Sequence, residues 1–288
     1  IHYKEQRRLT PRERRFRDEV NRILKQVNRF DDDAVRDVVD LLTTARDQII
    51  ARLGSLTAGE FQFNNMTQIL SELNVATESF RTRYSALLGE KIEEVIDLGR
   101  EFVDRPIIVA NIGIGAQPVI TQELLEVGVQ LSADLVKDVT DEMRKKINTA
   151  VRLGLLGEKS PQEIINELSK DKQFRRGIFK SVKDRAEIVT RTEVNRALNL
   201  STQKRIEQWS QQVPEMKKYW LHTRDDRVRP THARVGTRTN PTLGGTPILA
   251  KQSYSVGGFR AMGPHSPTLP AKEVANCRCV NVPFFREN

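Results

Sequence analysis

From Pro11 to about Trp209 apolar residues return every three or four positions, and beyond Pro214 that spacing stops. The first regime buries one stripe of successive helices, because a 3.6-residue turn brings such positions onto one face. In the second, Gly, Pro, Thr and Ser break the chain into short apolar runs such as KKYWLH and PILA, the pattern of short strands, turns and loops. The sequence therefore predicts an α+β fold: a long, mostly helical N-terminal region, then a small α+β domain with short strands and a turn-rich C-terminal end.

Within the helical regime, Phe16, Val20, Ile23, Leu24 and Val27 predict a helix from Pro11 to about Phe30. Asp31, Asp32 and Asp33 then offer N-cap oxygens and dipole-complementary charge. A second helix is expected to start there, carry Val35, Val38, Leu42, Ile49 and Leu53, and close at Gly54. A third runs from Phe61 to about Leu88 through Ile69, Leu73, Phe80 and Tyr84, with Ile92, Val95 and Ile96 extending it past Gly89. Pro106 to Pro118 breaks the pattern, so IIVANIGIGA predicts a buried loop or short strand. Its GxG lacks the continuation of a dinucleotide fingerprint, and no cofactor loop is assigned. Helical spacing resumes from Val119 to Leu153. Ser160, Pro161 and Glu163 then supply an N-cap, a Pro at the first helical position and the third-position acid of a capping box. A last helix spans Ala186 to about Trp209, with Arg191, Glu193, Asn195 and Arg196 in its middle.

Lys and Arg number 47 against 38 Asp and Glu, a formal charge of +9 that favours polyanionic partners. The positive charge is clustered. Lys4, Arg7, Arg8, Arg12, Arg14, Arg15 and Arg17 make a basic arm, and Lys170, Lys172, Arg175, Arg176, Lys180, Lys183 and Arg185 make a second patch. Arg12, Arg14, Arg15, Arg175 and Arg176 are the candidate contacts to DNA phosphates, with no base-reading motif beside them. No stretch approaches the ~18 apolar residues of a membrane span, and residues 1–30 lack the apolar centre of a secretory signal. A soluble, unexported protein without a membrane partner is expected.

Three of the four histidines and both cysteines fall after Leu221. Cys277 and Cys279 stand two apart, which in an extended segment puts both thiols on one face, where they can share a metal ion. His232 is the favoured third ligand of a zinc site, with His222, His265 and Asp226 the other candidates. Two buried thiols acting as small hydrophobes explain the same residues. Asp225 to His232 concentrates carboxylates, guanidiniums and an imidazole, and Asp226 paired with Arg227 or Arg229 would lock a turn without any chemistry. The enzymatic alternative is a metal-dependent nuclease or nucleotide-using transferase working through His222, Asp226 and His232. No nucleophile elbow, HExxH helix or Walker loop accompanies it, so no catalytic residue is assigned.

Four motifs occur in one order: SPQEI, then IVTRTEVNRALN, then YWLHTRDDRVRPTHARVG, then GPHSPTLPAKEVANCRCV. Together they resemble the Mu F-like phage head morphogenesis domain over roughly Thr140 to Pro283, dividing the chain into a helical region, 1–139, and a domain, 140–288. The matching positions are Arg191, Thr192 and Glu193; Trp220, Asp226, Arg227, Arg229 and His232; and Pro270, Asn276, Cys277, Arg278 and Cys279. The resemblance implies a minor capsid protein of a tailed phage, made in the host cytoplasm and housed inside the head at the portal vertex. It would act in head assembly, DNA packaging or genome ejection, without enzymatic activity. The implied partners are the portal protein, the major capsid or scaffold protein, and packaged DNA. The chain departs from the family pattern at Val235, where an acidic residue commonly precedes the glycine. The helices of 1–139 lie outside the resemblance and are candidates for a portal-binding or oligomerising arm.

Overall fold

Two helices begin with the same Thr/Ser-Pro-x-Glu device. Thr10 Oγ1 accepts from Glu13 N at 3.2 Å while Glu13 Oε2 accepts from Thr10 N at 2.8 Å. Ser160 and Glu163 repeat the exchange at 3.2 and 2.7 Å. Each pair satisfies backbone N–H groups that a helix start leaves over, and the proline follows where no N–H is missed.

The computed structural model describes residues 8–57, 59–112, 123–157, 159–169, 178–223 and 225–287. The helices are α1 (Pro11–Gly54), α2 (Met66–Val109), α3 (Glu123–Leu155), α4 (Pro161–Ser169) and α5 (Ile178–Trp209). After them come β1 (Lys217–Leu221), α6 (Pro230–Thr239), β2 (Ile248–Leu249), β3 (Tyr254–Val256), β4 (Phe259–Ala261), α7 (Ala271–Val274) and β5 (Val280–Phe284). Long helices followed by short antiparallel strands make the fold α+β, as the change of spacing after Pro214 predicts. The chain forms two compact units, and each draws on both sides of residue 139.

Three expectations are corrected. Asp31 starts no new helix, because α1 is continuous and the Asp31 carboxylate, buried, takes Arg191 Nε at 3.0 Å and Asn195 Nδ2 at 2.9 Å. Nothing at Phe30–Asp33 is a helix breaker, and a carboxylate that finds a guanidinium is not available as a cap. Pro106 lies inside α2, which carries on to Val109 because Phe102, Val103 and Ile107 on its buried face outweigh the missing backbone bond. The IIVANIGIGA run is therefore not a buried loop at its start: Ile107 to Val109 are helical, Ile108 and Val109 are exposed, and positions 113–118 lie outside the described residues. α5 begins at Ile178, about two turns before the expected Ala186.

One unit comprises Asp33–Lys91 and Val127–Thr190. Its core joins Leu42, Ile49, Leu73, Phe80, Val139, Met143, Ile147 and Ile164, all buried. The hydroxyl of Tyr84, at the heart of this core, donates to Ala186 O at 3.0 Å and lies 2.8 Å from Thr190 Oγ1.

The other unit comprises Ile1–Asp32, Ile92–Glu126 and Arg191–Asn288. β2, β1 and β5 form an antiparallel sheet in that order, with Trp220 opposite Asn281 and Leu221 opposite Val280. β3 and β4 form a hairpin whose Gly257 and Gly258 have φ of 57° and 91°, the left-handed pair that a two-residue turn requires. Trp220, Val235, Tyr254, Val256, Leu269, Val274 and both cysteines share its apolar core. Val235, the departure from the family pattern, is thus a core residue.

α5 carries a buried polar row, one residue every fourth position, whose last two members bond the C-terminal segment. Asn195 holds Asp31; Asn199 donates to Cys279 O at 3.1 Å and accepts from Asn281 N at 2.7 Å; Gln203 donates to Ala250 O at 3.0 Å. Gln203 Oε1 also accepts from Asn281 Nδ2 at 2.7 Å and from Lys218 Nζ at 2.9 Å. Lys218, fully buried in β1, completes its bonding on Met262 O at 2.6 Å and lies over the Tyr254 ring. Burial brings its pKa down to about 7, outweighing the charge of Glu207, which acts the other way. The unfolded chain then binds the proton more tightly than the folded one, so stability rises with pH between about 7 and the ordinary lysine value of 10.5. Urea denaturation across that window should show the rise in the native chain and a flatter profile in Lys218→Met.

On the same unit Asp104 of α2 receives Arg205 Nε at 2.5 Å, Arg205 Nη2 at 2.7 Å and Trp209 Nε1 at 2.6 Å, all buried. Removing the carboxylate takes the opposite charge from a fully buried guanidinium, whose Nη1 still donates to Gln208 Oε1 at 3.0 Å. Asp104→Ala should cost about 3–5 kcal/mol of unfolding free energy, measured by chemical denaturation, whereas an exposed control such as Asp97→Ala should cost under about 1 kcal/mol.

Candidate metal centre

His232 stands in the first turn of α6, after Pro230, and Glu273 stands in α7. Between α7 and β5 the chain reverses at Asn276, whose φ of 53° is a left-handed conformation that asparagine tolerates. Cys277 and Cys279 follow in the extended segment and face inward together. Arg278 between them pairs with Asp225.

Several residues hold this reversal in place. Asn276 N donates to Thr192 Oγ1 at 2.9 Å, and Arg191 Nη1 donates to Asn276 Oδ1 at 3.2 Å. Arg229 Nη2 donates to Ala275 O at 2.6 Å. Asn199 grips Cys279 O from behind.

His232 Nδ1 lies 3.3 Å from Cys279 Sγ and 3.5 Å from Cys277 Sγ, and the three donor atoms lie within 4.8 Å of one another. Both thiols are free, and none of the three residues is more than 2% exposed. On the far side of the ring His232 Nε2 is 3.1 Å from Glu273 Oε2, close enough for a charge contact but off the line of a hydrogen bond. The same Glu273 oxygen accepts from Thr231 Oγ1 at 2.8 Å. Trp220 packs edge-on against the imidazole at 5.1 Å, with Tyr254 at 5.4 Å from Trp220.

The two thiols are electrostatically unequal. Cys277 is pushed well below the ordinary thiol range, first by the hydrogen bond from Cys279 and then by His265 and His232. Cys279 is pushed well above that range by the same bond and by burial. The bond they share thus moves the two thiols in opposite directions. Burial lowers the pKa of His265, whose Nδ1 rests 3.3 Å from Asn199 Nδ2.

Other expected site residues lie elsewhere. Asp226 is exposed, and Asp225 ties the turn instead, accepting from Arg227 N at 3.2 Å and pairing with Arg278. Arg278 decides between the adjacent carboxylates. His222 turns Nδ1 to Thr223 O at 2.8 Å and packs against α6, where a Cβ on Gly236 would fall 2.2 Å from its ring. Glu193 is buried beside Arg196 at 3.1 Å, and burial raises its pKa. The sequence reading did not single out Glu273, Asn199 or Gln203. The spacing of Asn195, Asn199 and Gln203 is the signal that would have found the last two.

A pocket of about 200 Å³ opens beside the trio. Arg227, Arg229 and Arg278 line it together with His232, Cys277 and Cys279. Arg12, Arg14 and Arg15 are exposed on the first turns of α1, with Arg12 3.7 Å from Glu287; Arg175 and Arg176 lie outside the described residues. Among the described residues no helix is long and apolar enough to cross a membrane.

The family model described as phage Mu protein F like protein matches residues 143–282. Over 155 residues, 54% of the chain, the sequence is 28% identical to the NAD(+)--arginine ADP-ribosyltransferase EFV of Enterococcus faecalis (strain ATCC 700802 / V583). That match covers 28% of the relative, so the chain spans under a third of its length. No solved structure is detectably similar. The segment that carries α5, the polar row and the His232, Cys277 and Cys279 cluster is thus the part of the chain that is similar to the phage Mu F-like family.

Proposed function

We propose that the chain is a minor head protein of a tailed phage, held at the portal vertex inside the head, where it acts in assembly, packaging or ejection of DNA by binding rather than by catalysis. The Mu F-like domain over residues 143–282 is the observation that carries this reading. The major capsid or scaffold protein would be a further neighbour. Exposed Arg12, Arg14 and Arg15 supply a basic surface to packaged DNA, and Arg175 and Arg176 add charge to the same role by sequence alone. Such contacts neutralise phosphates and do not read bases.

The relative named for arginine ADP-ribosylation supports a second reading, a nucleotide-using transferase. Most of that relative lies outside the match.

Co-expression with the portal protein of the same phage should yield a complex that survives size-exclusion chromatography. A chain that stays separate from the portal ring, and is missing from purified virions, contradicts the reading. NAD⁺-dependent labelling of arginine by the purified chain would instead support the transferase. For DNA, log affinity should fall linearly with log salt, and replacing Arg12, Arg14 and Arg15 with Gln should shallow the slope by about 3. An unchanged slope removes α1 from the DNA surface.

A further inference from the structure

We infer that His232 Nδ1, Cys277 Sγ and Cys279 Sγ form a zinc site, with the fourth coordination position left to a ligand that enters from the arginine-lined pocket. A tetrahedral zinc with bonds of about 2.3 Å to sulfur and 2.0–2.1 Å to nitrogen sets its S and N ligands about 3.5 Å apart. The two S···N separations are 3.3 and 3.5 Å. Mutual hydrogen bonding explains this geometry less well. Nδ1 of a neutral imidazole has a single in-plane position, holding either a proton or a lone pair, so it makes one in-line hydrogen bond and not two, whereas one cation can receive all three donors.

Glu273 is an independent observation. Its buried carboxylate stands 3.1 Å from His232 Nε2 and is steadied by Thr231. A carboxylate there favours the proton on Nε2 through its charge, without an in-line hydrogen bond, and so leaves the Nδ1 lone pair to a metal. Charge and softness agree: two thiolates and a neutral imidazole neutralise a divalent ion, and sulfur donors select zinc over magnesium or calcium. Binding displaces the thiol protons to solvent as two Zn–S bonds and one Zn–N bond form. Among the described residues the cluster supplies three protein ligands, and the pocket that reaches them is lined by Arg227, Arg229 and Arg278, which favours water or a small anion as the fourth.

The full chain, purified under reducing conditions without chelator, should carry about one zinc per chain by elemental analysis. Cobalt exchanged into it should give a thiolate-to-cobalt charge-transfer band together with tetrahedral d–d bands. The band should vanish in Cys277→Ser/Cys279→Ser. Glu273→Gln, which keeps all three ligands, should retain the band and weaken affinity about 10- to 100-fold. A folded, zinc-free native chain whose cobalt spectrum has no sulfur band overturns the site, as does a band that persists in the double serine variant. These readouts do not depend on the portal, so the metal site and the head function stand or fall separately.

Discussion

Asn199 is the group on which the C-terminal architecture depends. It sits fully buried in the middle of α5, where an amide unable to complete its bonds would be costly. Its Nδ2 reaches Asn195 O, Cys279 O and the His265 ring, and its Oδ1 takes the Asn281 amide. One side chain thus sets the register of the segment that carries both thiols against a helix 80 residues earlier in the chain. Gln203 repeats the device toward Asn281 and Lys218, and Arg191 with Thr192 fixes the turn at Asn276. A purely apolar face on α5 would bury as much surface but would not specify where β5 begins.

The consequence for the site is geometric. Cys277 and Cys279 share a face because the segment is extended, yet they meet His232 only because α6 and the reversal at Asn276 are held at fixed distances. The holding groups are the family-motif positions Arg191, Thr192, Arg229 and Asn276. These positions brace the reversal through the hydrogen bonds they make.

Much of this was legible in the sequence. Apolar spacing located the helices because core packing follows it, and the Ser160-Pro161-Gln162-Glu163 box was readable because its bonds are local. The pairing of Cys277 with Cys279 was readable for the same reason, since alternation in an extended segment needs no distant partner. Asp31 could not be read so, because its role as cap or ion pair was decided by Arg191, 160 positions away. Asp225 and Asp226 were indistinguishable until Arg278 chose one of them. The polar row on α5 escaped a reading that tracked apolar positions, and Glu273 escaped because its link to His232 runs through space.

Hydrogen–deuterium exchange on Asn199→Ala tests most directly whether this amide sets the C-terminal register. Protection should be lost at Asn281 and across residues 276–284, while the amides of Asp33–Lys91 in the other unit keep theirs. A variant in which the 276–284 segment exchanges as slowly as in the native chain would contradict the account.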